Sequence, residues 1–122
     1  MSLHHQLPIY QTGCDLVKLA INVQQQMPRA HKRSLGDKIM SHCTEMVDLM
    51  AMANASRGHE RAHHIRELLK RQHATTVLLR VSHDMRFISP KVWSSSVQLL
   101  DSIGKQGGGW LKSASNEKAP AV

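Results

Sequence analysis

His59-Glu60-Arg61-Ala62-His63-His64 holds the letters of a zinc protease: two histidines four apart and a glutamate beside the first. On a helix, residues i and i+4 share a face, so His59 and His63 could grip one metal while Glu60 polarised a bound water. A catalytic zinc needs a third protein ligand. Where the familiar longer pattern places Gly and His, this chain has Arg66 and Leu69. Asp84 lies further along the same helical pattern, at a rise that puts it roughly 31 Å beyond His63. Arg57, Arg61 and Arg66 also surround the pair with positive charge. The sequence therefore points to no catalytic residue, no metal and no cofactor.

The same stretch forms a basic stripe. His59, His63, Arg66, Lys70, His73 and Arg80 fall on one helical face, flanking the apolar line through Leu69. There, long side chains can lay their stems on a core and offer charged heads to solvent. Arg57, Arg61 and Arg71 broaden the field, partly offset by Glu60 and Glu67. A second basic cluster, Arg29, His31, Lys32, Arg33 and Lys38, precedes another apolar stripe. Either cluster alone reads as a solvated face with i,i+4 pairs such as Glu67–Arg71. Two of them on so small a chain suggest a surface that tracks phosphates.

Composition sets the same direction. The 122 residues carry 16 Lys+Arg against 9 Asp+Glu, a formal charge of +7 and a pI near 9.9, with nine histidines in reserve. Such a balance favours a polyanionic partner, nucleic acid before an anionic membrane surface. Aromatics are 3% and hydrophobics 41%, so one modest core must come from Leu, Ile, Val, Ala and seven Met. With so few aromatics, base stacking is not expected to dominate binding. Cys14 and Cys43 fit a reduced cytoplasmic chain better than a disulfide scaffold. No signal peptide opens the sequence and no apolar run is long enough for a membrane span, so no membrane partner is expected.

The elements that position these residues are helices. Apolar residues recur at three and four: Leu7, Tyr10, Cys14, Val17 and Ile21; then Leu35, Ile39, His42, Met46, Leu49, Met50 and Ala53. A third stripe follows the break at 54–58: Ala62, Ile65, Leu68, Leu69, Gln72, Thr76 and Leu79. Ser89-Pro90 is a cap followed by a first-turn proline, opening a fourth stripe of Trp93, Val97, Leu100, Ile103 and Trp110. Pro28 stops the first helix and can open the second. Gly107-Gly108-Gly109 is expected to fray or bend the fourth, or to admit another backbone closely. His42, Gln72 and Thr76, polar on core lines, are expected to bond within the chain or to border a subunit interface. The fold class is all-α, an antiparallel up-down four-helix bundle over residues 7–113. Residues 1–6 are expected to be a flexible N-terminus or cloning remnant, and 114–122 a disordered tail.

Three ordered segments carry a resemblance. MPRAHKRSLGDKI (27–39), LLRVSHDMRFIS (78–89) and LLDSIGKQGGGWLKS (99–113) occur in that order with helical spacing between them. They resemble the accessory variability determinant proteins of diversity-generating retroelements, from about residue 10 to 113. That family has a Pro-basic-x-x-Arg-x-x-Leu-Gly opening to its second helix, Leu-Arg near the end of the third, and Ile-Gly-x-x-x-Gly-Gly-Trp in the fourth. This chain departs in the extra Gly107 and in its histidine-rich third helix. The related ribosomal-intervening-sequence bundles share the architecture, but their Asn-Ile-x-Glu-Gly opening is missing here.

The resemblance implies a non-enzymatic protein that assembles as a homo-pentameric barrel. It implies association with the element's reverse transcriptase and binding of RNA, DNA or both during mutagenic copying. The family's basic positions fall on Arg29, Arg33, Lys38 and Arg80, with Lys112 after the Trp motif. Together with the two clusters, the candidate nucleic-acid and partner residues are Arg29, Lys32, Arg33, Lys38, Arg66, Lys70, Arg80 and Lys112. The competing reading is a basic helical module that meets an acidic protein and no nucleic acid.

Overall fold

The computed structural model describes residues 6–117. Four α-helices carry the chain: α1 (Pro8–Gln26), α2 (Asp37–Asn54), α3 (Gly58–Asp84) and α4 (Pro90–Ser115). No strand occurs among the described residues. Short connections force antiparallel neighbours, and each helix packs on the next while α1 closes against α4, giving the up-down bundle. One end of the bundle therefore gathers the α1–α2 and α3–α4 connections. The other gathers both helix termini and the α2–α3 turn. No helix among the described residues is long and apolar enough to cross a membrane.

Local chemistry sets the boundaries. Pro8 opens α1 at a position where its missing N–H is not needed. Ser89 caps α4, its Oγ accepting from the Val92 N–H at 3.2 Å, with Pro90 next. Gly58 begins α3 at φ +54°, a left-handed value suited to glycine. Its N–H donates to Glu117 Oε2 at 2.9 Å and pins the end of α4 beside the start of α3. α4 runs unbroken through the three glycines to Ser115, past the end expected from sequence. Ala114 explains the extension: it is 4% exposed and packs with Ala53, Ala62 and Ile65 in a small cluster at this end. Residues 118–122 of the expected tail lie outside the described residues.

The main core unites Leu16, Val23, Met27, Ile39, Met46, Met50, Leu68, Leu79, Leu100 and Ile103, all at most 2% exposed. α2 buries Ile39, Met46, Leu49, Met50 and Ala53 of its expected stripe, but Cys43 is buried beside them while His42 is only half-buried and Leu35 lies ahead of the helix. α1 is turned by about one residue from the expected phase: Ile9, Gly13, Leu16, Ala20 and Val23 face the core, and Ile21 is 48% exposed. The reason is close helix approach. A Cβ on Gly13 would stand 2.9 Å from Met50 Sδ and 3.2 Å from Val47 Cγ2, so α2 lies where α1 has its smallest residues. α4 is turned likewise, burying Val92, Ser96 and Gly107 while Trp93, Val97 and Trp110 are only half-buried. On α3 the buried line runs through Thr75 and Ser82. Their hydroxyls donate to the carbonyls of Arg71 at 2.7 Å and Leu78 at 2.8 Å, which removes the penalty of burying them.

His42, Gln72 and Thr76 bond within the chain. Arg71 Nη1 donates to His42 Nδ1 at 3.1 Å, Gln72 Nε2 to the Leu100 carbonyl at 3.1 Å, and Thr76 Oγ1 to the Gln72 carbonyl at 2.9 Å.

Candidate nucleic-acid interface

The eight candidate residues do not make one patch. Arg29, Lys32, Arg33 and Lys38 collect at the end that carries the α1–α2 connection, and Arg80 joins them from the last turns of α3. Arg66 and Lys70 lie midway along α3, Arg66 about 21 Å from Arg80 by helical rise. Lys112 lies near the C-terminus of α4, at the opposite end of the bundle. All eight are exposed. Of the eight, only Lys70 has an acidic partner at ion-pair distance among the described residues: Glu67 Oε2 at 3.0 Å. That contact holds the Glu67 carboxyl below its usual range through the hydrogen bond and charge of Lys70. The other seven have no carboxylate at ion-pair distance among the described residues.

The connecting end is built more specifically than the sequence suggests. Met27 and Pro28 are extended, so regular α-helix does not resume at Pro28. A 3-10 turn (Arg29–His31) and a π-helical segment (Lys32–Gly36) carry the basic cluster into α2. Such irregular turns often mark functional sites. Three contacts brace them. Gln24 Nε2 donates to Asp37 Oδ1, the Ser89 N–H donates to Gln26 Oε1 at 3.1 Å, and the His31 ring stacks on Phe87 with centroids 4.6 Å apart. A second stack, His83 on Trp93 at 5.4 Å and 15°, lies at the same end.

Arg86 belongs to this end and is absent from the sequence-derived set. It ends α3 in the left-handed region at φ 61°, the only positive-φ residue besides glycine among those described. Its N–H donates to the His83 carbonyl at 2.9 Å and that of Phe87 to the Ser82 carbonyl at 2.8 Å, the double closure usually built on glycine. A side chain there costs about 1 kcal/mol. The available signal was negative: a helix stop at Asp84-Met85-Arg86-Phe87 with no glycine in it.

Along α3, His59, His63, Arg66, Lys70, His73 and Arg80 are all exposed, as one face requires. Between this face and α4 lies a groove of about 650 Å³, edged by Arg66, Lys70 and His73 and floored by Leu69, Gln72 and Gly104. A Cβ on Gly104 would meet Gln72 Nε2 at 3.3 Å, so glycine leaves room for the Gln72–Leu100 bond. Two arginines credited to the field from sequence have structural duties. Arg61 donates to the carbonyls of Ala53 at 2.9 Å and Asn54 at 3.3 Å, capping α2, and Arg71 engages His42 instead of Glu67. In the HERAHH stretch it is His64 that approaches Glu60, at 3.9 Å. No three His, Cys, Asp or Glu side chains among the described residues converge as a metal site would need. Cys14 and Cys43 are both free thiols.

A protein-family model described as bAvd-like matches residues 7–114. No curated protein and no solved structure matches the chain.

Proposed function

The chain belongs to the bAvd-like family, and from that membership we propose that it is a non-enzymatic accessory protein of a diversity-generating retroelement. In this reading it works in the cytoplasm beside the element's reverse transcriptase and binds RNA, DNA or both during mutagenic copying. The observation that carries the nucleic-acid part is the connecting end of the bundle. There Arg29, Lys32, Arg33, Lys38 and Arg80 stand exposed, with no carboxylate at ion-pair distance among the described residues. Arg66 and Lys70 extend the field along α3, and Lys112 adds a cation at the far end. Charges left unpaired on a folded surface attract phosphate and gain affinity by releasing its counterions.

Assembly belongs to the same proposal. Val77 (52% exposed), Val81 (44%) and Met85 (58%) leave an apolar strip on the C-terminal half of α3. Covering such a strip supports association of copies, and the family's habit makes the expected form a homo-pentamer. Light scattering should then show one species of about five times 13.7 kDa. For the nucleic-acid reading, fluorescence anisotropy with labelled RNA and DNA should show binding to both at low salt and steep loss as salt rises. Failure to bind either would favour a module whose basic surface meets an acidic protein.

A further inference from the structure

We propose that the connecting end holds a seat for an unpaired nucleotide, so that the chain prefers single-stranded to duplex nucleic acid. The proposal rests on the nucleic-acid reading above and names its substrate more closely. Three observations converge on one place. The first is a cleft of about 770 Å³ at the α3–α4 corner, lined by His83, Arg86, Phe87 and Ile88 and closed by Ser89 and Pro90. That volume lies within the range of sites for small organic ligands, and a nucleotide is of that size.

The second is Arg86 itself. Its backbone sits where glycine is the default, and no acidic side chain among the described residues lies at ion-pair distance. A strained residue that persists calls for a use beyond the fold. Arg86 lines the cleft, and a guanidinium is suited to a phosphate, which it can hold with two parallel hydrogen bonds. Asp84 also lines the cleft and opposes an anion. Its carboxylate lies 3.7 Å from His83 Nδ1, and the cations of the α1–α2 connection, with Arg80 and Lys91, outnumber it.

The third is flat ring surface at the same end of the bundle. Phe87 lines the cleft, and the exposed His31 ring, just outside that lining, stacks on one face of Phe87 at 4.6 Å and 23°, leaving the outer face of His31 for a base. The tryptophan and phenylalanine count alone hides this platform, because histidines supply half of both stacks. A base can use such a surface only when its own face is free, as in a single strand, loop or end; duplex bases are stacked on one another. Gln26 and Ser89 both line the cleft, and the hydrogen bond between them ties its α4 side to α1, so the seat is formed before a strand arrives.

The test compares a short labelled single strand with a duplex of the same sequence, at one salt concentration, by fluorescence anisotropy. Wild type should bind the single strand about tenfold or more tighter, a factor in the range that stacking one base supplies. His31→Ala should weaken the single strand by about tenfold and leave the duplex unchanged. Arg86→Gly suits the backbone and should melt at least as high as wild type while binding the single strand more weakly. Equal or tighter duplex binding by wild type would overturn the proposal and leave the general nucleic-acid reading standing. So would unaltered single-strand binding by both variants. Binding of neither would remove the nucleic-acid reading and this proposal with it.

Discussion

The glycines of α4 allow a sharp test of how the bundle is built, because three consecutive residues of one type sit in two environments, one packed and two open. A Cβ on Gly107 would stand 2.9 Å from Leu69 Cδ2, whereas nothing lies within 4 Å of one on Gly108 or Gly109. All three occupy regular helix, where glycine is less favourable than alanine by about 0.5–1 kcal/mol. Gly108→Ala and Gly109→Ala should each gain that amount. The pair should gain roughly 1–2 kcal/mol, or on the order of 4–8 °C in Tm for a domain of this size. Gly107→Ala has the same propensity gain but must displace the Leu69 methyl, so no net gain is expected. Thermal melts followed by circular dichroism, repeated over a range of protein concentrations, give the answer. The reasoning fails if Gly108→Ala or Gly109→Ala lowers Tm. A loss that grows with concentration would place those glycines under a neighbouring copy.

Two further predictions follow from titratable side chains. His42 is held below its ordinary value of 6.5, first by burial and then by the charges of Arg71 and Lys38. A depressed value means that the folded chain resists a proton the unfolded chain accepts. The stabilising effect of neutral His42 is thus full above pH 6.5 and lost as pH falls through the folded value. His42→Gln keeps an acceptor for Arg71 without titrating. The stability advantage of wild type over this variant should shrink between about pH 7.5 and 5.5 in urea melts, and a constant difference would contradict the assignment. Burial pushes the Cys43 thiol up to about 12. With iodoacetamide at neutral pH the native chain should therefore be alkylated at Cys14 and spared at Cys43 until it is unfolded, and equal labelling of both would contradict the packing.

The helices were legible because their apolar period is strong and their punctuation plain: Pro28 ends α1, 54–58 breaks the chain, and Ser89-Pro90 starts α4. The rotation of α1 was not. Two adjacent lines of that helix are apolar, and the buried one runs through Gly13 and Ala20, residues that signal little hydrophobicity but admit α2 closely. The buried line of α3 was obscured by Thr75 and Ser82, whose hydroxyls turn back onto the preceding turn. Of the basic residues, sequence spacing gave the exposed α3 face directly. It could not separate Arg61 and Arg71, committed to a carbonyl cap and to His42, from neighbours whose charge is open. Arg86 escaped notice because its position depends on a left-handed turn, a property of the backbone and not of any pattern in side-chain type.

The central claim is that exposed cations at the connecting end hold phosphate. Replacing Arg29, Arg33 and Arg80 together by glutamine preserves side-chain length and removes three charges from that end. Affinity for RNA and DNA should be measured across a series of salt concentrations for wild type and the triple variant, with circular dichroism confirming an intact fold. If all three arginines touch phosphate, the slope of log affinity against log salt should become shallower by roughly 2–3 units. Salt-independent binding by wild type, or an unchanged slope in the variant, would show that these arginines are only a solvated face.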